Sequence, residues 1–377
     1  MGLSYGEHGA YREGVTVGEP TKGASEEMRR RALITAVPVA LWGRPLLGDV
    51  PELSDPSAAP EDLPSRLGMA DVAEVDSWAG QVRALARRRG GQADAARWVV
   101  AQSMRLIPVP STEQVAAKLG SALASQHTLA AWCCADSGPG SHVWHHFQRA
   151  VELVAKVGDT YQATNALRYA DALQRERGHP NDALKLCQMA WFRIMDAPRN
   201  DSRIAVVAAW LGAESALAFA DMGYAEQARS ELAKARDAWE PPASFEKSGM
   251  DELTARVNMA LGRLDIAEQY AAVSVRTCGD GERRNGVLAG ITHATVYVQA
   301  GEPRGLTMAK TAIDEVASLR SVRARKWWLV PLADCASSRW RSGSRCAPSS
   351  PTASSPGTAP RRTDGSHGPP LRNTADA

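Results

Sequence analysis

An all-α fold, built as an array of antiparallel helix pairs set side by side, is predicted by three observations. Alanine dominates a composition that is 44% hydrophobic and only 6% aromatic. Alanine is the best helix former, whereas strands favour β-branched and aromatic residues. Glycines recur at Gly138, Gly178, Gly223, Gly262 and Gly301, spaced by 40, 45, 39 and 39 residues, each between two helical runs. Small residues keep fixed offsets from them: Ala131, Ala216, Ala255 and Ala294 seven before, Ala183, Ala228 and Ala267 five after, Ala150, Ala190 and Ala235 twelve after.

The spacing has a direct physical reading. Glycine accepts the left-handed backbone that closes a helix, and Pro139, Pro180 and Pro303 just beyond suit the first turn of the next helix. Small residues on both sides of the turn then meet across the hairpin and let the two helices approach closely. Gly90, with Ala95 five residues later, heads an earlier unit. Val143, Leu306, Ser274, Ile313, Asp171 and Arg83 depart from the small-residue positions.

Taken in order, residues 1–27 are polar, glycine-rich and expected to be disordered. Residues 28–48 place Arg30 and Arg31 before a short apolar run, which has two readings, a twin-arginine export signal or an internal docking segment. Twenty-seven residues precede Met28 and no small-x-small cleavage site follows at once, which favours the internal segment. Residues 49–68 read as a proline-rich linker. The repeat region covers 69–334, and its first helix sets Val72, Val75, Ala79, Val82 and Leu85 on one face. Arg87, Arg88 and Arg89 close that helix, where cations compensate the C-terminal dipole. In residues 335–377, 35 of 43 are Ser, Pro, Arg, Ala, Gly or Thr, a composition that predicts a disordered tail. The abrupt change after Asp334 reads as a shifted reading frame, which translation of the other two frames tests.

The formal net charge is +2, but the tail carries six Arg and two Asp, leaving the body at −2. A body without a cationic face is not expected to bind DNA directly. Six irregularly spaced cysteines in a chain of this size point to a reduced, cytoplasmic protein, with Cys187 filling the core.

The glycine and alanine offsets across residues 69–333 resemble the tetratricopeptide repeat, whose units are helix-turn-helix pairs. Two segments, "GDTYQATNALRYADALQRERGHPNDALKLCQMA" and "MRRRALITAVPVALWGRPLLG", are similar to the C-terminal region of actinobacterial helix-turn-helix (XRE-type) transcriptional regulators. The resemblance implies a tetratricopeptide-like superhelical array acting as a sensor domain, which binds a peptide, a partner protein or a small-molecule effector on its concave face. Residues 1–27 are too few for the DNA-binding domain that precedes this region in the family. A plain interaction scaffold is the alternative, followed by an exported protein. No phosphate loop, dinucleotide fingerprint or nucleophile elbow is found, so neither an enzyme nor a cofactor is expected. No membrane association is expected, and a homodimer is compatible with the sequence.

In paired-helix solenoids the first helix of each pair lines the concave face. Positions thirteen, ten, six and three before each turn glycine form one stripe there. It reads Ser125, Thr128 and Trp132, then Asn165, Arg168 and Arg175, then Trp210, then Glu252 and Arg256, then Thr295. The arginines suit a carboxylate or phosphate, Asn165 a peptide backbone, and the tryptophans apolar anchors. "WCCADSGPGSHVWHHF" is the only metal-like cluster. His142 and His146 share a helix face in it, but adjacent Cys133 and Cys134 rarely ligate together, so no metal site is assigned.

Overall fold

The computed structural model describes residues 63–329 and 332, apart from 139–141, 196, 198–200 and 239–243. The expectations for residues 1–62, for 335–377 and for Pro139 lie outside the described residues. Twelve α-helices run in sequence: α1 (Met69–Arg89), α2 (Ala93–Met104), α3 (Glu113–Ser137), α4 (His142–Val157), α5 (Thr160–Glu176), α6 (Pro180–Ile194), α7 (Ser202–Asp221), α8 (Ala225–Asp237), α9 (Ser244–Ala260), α10 (Leu264–Thr277), α11 (Arg283–Ala300) and α12 (Arg304–Ala317). No strand occurs among the described residues. The helices start where caps put them. Thr112, Asp159 and Asp201 accept backbone N–H groups at the heads of α3, α5 and α7, satisfying donors that a helix start leaves open.

The turn glycines behave as their spacing requires. Gly178, Gly223, Gly262 and Gly301 have φ between 72° and 84°, and Gly138 has φ 145°. All five hold positive φ, a region that side chains disfavour. The small residues at the seams are buried: Ala131, Ala183, Ala190, Ala216, Ala228, Ala255, Ala267 and Ala294 show no exposed surface. Ser274 fills its seam with hydrogen bonds instead of a methyl group. Its hydroxyl donates to the Ser248 carbonyl at 2.8 Å, and the Ser248 hydroxyl donates back to the Ser274 carbonyl at 3.0 Å.

Two expected core positions are corrected, and two departures from the small-residue offsets find their reason. Leu85 is 43% exposed and Ala86 completes the buried stripe of α1, because 72, 75, 79, 82 and 86 follow the 3.6-residue period better. Ala96 rather than Ala95 is buried in α2, since Gly90, Gly91 and Gln92 make a longer, positive-φ turn. Leu306 and Ile313 are 47% and 44% exposed, and Gly305, Ala309, Ala312 and Val316 form the seam of α12. The cause is a tighter turn: the Gly305 N–H bonds the Glu302 carbonyl three residues back, whereas Ala183, Ala228 and Ala267 at the heads of α6, α8 and α10 bond carbonyls four residues back, so every later side chain of α12 is rotated. A Cβ at Gly305 would lie 2.8 Å from the Val298 nitrogen, so this glycine makes the close approach that alanine makes elsewhere. At the other end, Leu67 is buried and donates its N–H to the Pro110 carbonyl, so the final linker residues already belong to the core.

Adjacent helices pair as α1/α2, α3/α4, α5/α6, α7/α8, α9/α10 and α11/α12. The odd-numbered helices also pack on one another in succession, and α11 packs against α1, so the inner row closes on itself. The closure is offset along the helices, because the start of α11 meets the ends of α1 and α3. Glu282 pairs with Arg87 at 3.2 Å, Arg284 with Asp136, and the Arg320 N–H donates to the Arg89 carbonyl at 2.7 Å. Gly90 and Gly91 make room for it: a Cβ on either would come within 2.7 Å of Asp136 or of the Arg320 carbonyl. Among the described residues one helix, Ser202–Asp221, is long and apolar enough to cross a membrane, but here it lies in the inner row with Leu211, Ala213, Ala216 and Leu217 buried against its neighbours. A helix packed on most sides needs apolar residues all round.

Candidate functional site

The inner helices enclose a cavity of about 570 Å³. Thr128, Trp132, Asn165, Arg168, Arg175, Trp210, Glu252 and Arg256 all line it, together with Ser125. Thr295 does not; it is buried and its hydroxyl donates to the Ile291 carbonyl within α11. The stripe is continuous because α3, α5, α7 and α9 repeat one register, so the same offset from each glycine faces the same space. The lining is exposed at Asp76, half-buried at Tyr161, Gln162 and Val206, and fully buried at Asp136, Arg284 and Arg323. The cavity is therefore reached from one end and sealed at the other.

The sealed end is a network of ion pairs. Asp136 accepts from the Gly91 N–H at 2.7 Å, from the Ser321 hydroxyl at 2.7 Å and from Arg284 in a forked arrangement. Burial would push its carboxyl up, but the charge and hydrogen bonds of Arg284 outweigh that and hold it below the ordinary carboxylate range. Glu176 is held low in the same way by Arg323, whose guanidinium also lies 3.8 Å above the Trp132 ring. Arg175, 7% exposed, sits between Glu214 at 3.6 Å and Asp221 at 3.7 Å. Burial opposes its charge, and the surrounding carboxylates, Glu214 foremost, raise its pKa nonetheless.

The middle of the cavity is different. The Arg168 guanidinium lies over the Tyr169 ring at 4.3 Å and the Trp210 ring at 4.9 Å, and its Nε and one Nη donate to the Asn165 carbonyl oxygen at 3.4 Å. Among the described residues no carboxylate stands within ion-pair distance of it. Trp132 meets Tyr169 edge-on at 5.0 Å. Thr128 spends its hydroxyl on the Ala124 carbonyl of its own helix at 3.0 Å. Glu252 accepts from Thr292 at 3.0 Å and lies 3.8 Å from Arg256; burial raises its pKa despite both. Arg256 has its pKa lowered, by burial first and by the like charge of Arg175 second.

Asp136, Glu176, Arg284 and Arg323 escaped the sequence reading. A signal for the first two existed: Asp136, Glu176 and Asp221 each stand two residues before a turn glycine in successive units. Arg284 and Arg323 carry no such mark. The cysteine-histidine cluster splits apart in the fold. Burial pushes the Cys133 and Cys134 thiols up, to about 12 and about 11, as expected for packed thiols rather than thiolate ligands. His146 turns inward to place its Nδ1 3.0 Å from that of His127. Burial lowers both rings, His146 to about 3, so one neutral imidazole donates to the other. Cys187 is fully buried core.

The fold and the site thus define an all-helical array of paired helices wound round a polar, arginine-rich and aromatic cavity. No family model, curated protein or solved structure matches the chain.

Proposed function

We propose that the chain is the effector-binding domain of a transcriptional regulator, a tetratricopeptide-like superhelix that takes a small molecule or short peptide into its central cavity. The observation that carries this is the convergence of nine of the ten stripe residues on one cavity whose size falls within the range of small-molecule sites. The offset of α11 along α1 and α3 supports a superhelix over a flat ring, because each unit must then rise along the axis. The closed inner row favours a compact effector over a long partner helix. The regulatory role rests on the resemblance of the two quoted segments to XRE-type regulators. In this reading the cytoplasmic chain binds no DNA itself. A ligand bridging α3, α5, α7 and α9 alters the curvature of the array, and a partner or attached domain reads the change.

Thermal shift of the whole protein against short peptides, aromatic acids and nucleotides tests the reading. The expected result is a raised Tm with one class of compound, lost in the Asn165→Ala, Arg168→Ala double variant while its far-UV circular dichroism is unchanged. A shift that survives in the double variant places binding elsewhere and defeats the proposal. A second reading, the plain interaction scaffold, draws on the exposed Trp191, Phe192 and Met195 near the end of α6. Substitution of these three leaves effector binding intact if the cavity is the site.

A further inference from the structure

We infer that the ligand of the cavity is a small organic anion in which a single carboxylate stands next to a planar aromatic or apolar ring. The inference rests on the reading of the cavity as an effector site. Its first support is charge matching. Five lining arginines, Arg87, Arg175, Arg256, Arg284 and Arg323, stand within ion-pair distance of a carboxylate, and Arg83 near the entrance donates to the Ser125 hydroxyl and feels the charge of Asp76. Arg168 has no ion pair; the carboxyl whose field reaches it is Asp171, which burial pushes toward its neutral form, and Arg168 lies in the half-buried middle where a ligand entering past Tyr161 would arrive. An arginine cannot lose its proton in this environment, so the Arg168 charge is left without an ionised partner beside it.

The second support is the geometry of that guanidinium. Its Nε side is occupied by Asn165, and it lies against the Tyr169 and Trp210 rings. What remains is the end-on edge, two parallel N–H donors that match the two oxygens of one carboxylate. Asn165 and the stacked rings fix the plane of this fork, so little rotamer freedom is lost on binding. The third support is the surrounding wall. Trp132, Tyr169 and Trp210 flank the same space, so a ring attached to the carboxylate gains aromatic contact that a bare inorganic anion does not. A phosphate dianion would bring two charges to a site with one unmatched cation.

Isothermal titration of the full chain with N-acetyl-tryptophan and N-acetyl-tryptophanamide, which share a ring and differ in the carboxylate, tests this. The acid is expected to bind at least about tenfold tighter than the amide, the scale of one charge-assisted bidentate contact. Arg168→Met should erase the difference by weakening the acid alone, Arg168→Lys should restore part of it, and inorganic phosphate should not compete. A dipeptide ending in free tryptophan distinguishes the sources: tighter binding than the acid assigns a peptide end, weaker binding a free aromatic acid. Equal affinity of acid and amide overturns the inference while leaving the cavity as an effector site. Effective competition by phosphate overturns the ring requirement, and absence of binding by both ring compounds overturns the inference entirely. Unchanged circular dichroism of Arg168→Met shows that any lost affinity is not lost folding.

Discussion

The hairpin seams and the sealed end of the cavity hold the same molecule together by opposite means. Most seams join helices adjacent in the chain through alanines without exposed surface. At the sealed end Asp136 meets Arg284 and Ser321, and Glu176 meets Arg323, across 147 to 185 positions of sequence, and each of these contacts is made once. Seams are generic, local and apolar, so they specify that helices pair. The closure is specific, long-range and polar, so it specifies how many pairs fit before the row returns to its start. Burying charges stabilises little against an apolar alternative, but leaving one member unpaired is costly. Such a network therefore selects one closed arrangement over neighbouring ones.

The largest effect should come from breaking the closure alone. Asp136→Ala leaves Arg284 buried without its counterion and removes the acceptor of Gly91 and Ser321, an expected loss of about 3–5 kcal/mol in urea unfolding. The pH dependence has a definite sign. Asp136 and Glu176 are held below the ordinary carboxylate range in the folded protein, so their stabilisation is present above that range and lost as pH falls through the lowered values. Wild type should lose stability on acidification more steeply than the Asp136→Ala variant. Equal slopes would show that the Asp136 network does not hold the ring closed.

Breaking a seam alone should cost less. Ala183→Leu forces three extra heavy atoms into the α5/α6 contact, where Ala183 has no exposed surface, and overpacking of this kind costs about 1–3 kcal/mol. No closure contact lies on α6, and Glu176 stands at the far end of α5, so the acid slope of this variant should match that of wild type. A seam variant with an altered acid slope would mean that the two kinds of contact are coupled rather than separate.

The same division explains what could be read in advance. Ala183, Ala228 and Ala267 stand out because a helix pair repeats, and repetition turns a packing requirement into a visible period. The cavity stripe was legible for the same reason, since equal offsets in α3, α5, α7 and α9 must face one space. Leu306 and Ile313, which depart from the small-residue offsets counted from Gly301, are exposed because the first turn of α12 is tighter, with Gly305 bonded to Glu302. Arg284 and Arg323 could not be found, since each meets its carboxylate once and no periodicity marks a contact made once. The sealed end follows from the rise and curvature accumulated over all the units, which no single unit states.

Asp171 is the one place where the two kinds of contact mix, and it gives the smallest and sharpest test. It occupies the seam position that alanine fills in four other units, it is fully buried, and its carboxyl meets the Cys187 thiol but no stronger hydrogen-bond donor. Burial, then the charge of Glu214, raises its pKa well above the ordinary value. The folded protein therefore holds this proton more tightly than the unfolded chain, so the associated stability is present in acid and is lost as pH rises toward the raised value. This sign is opposite to that of Asp136. Asp171→Ala restores the generic seam and removes the weakly bonded carboxyl, and should stabilise the protein by about 1 kcal/mol near neutral pH. The gain should shrink on acidification, where Asp171 is protonated in both states. Unfolding curves of variant and wild type that stay parallel from acid to neutral pH would show that Asp171 is not a buried titrating seam residue. A destabilised variant would show instead that this unit needs its carboxyl to pack against α6 and α7.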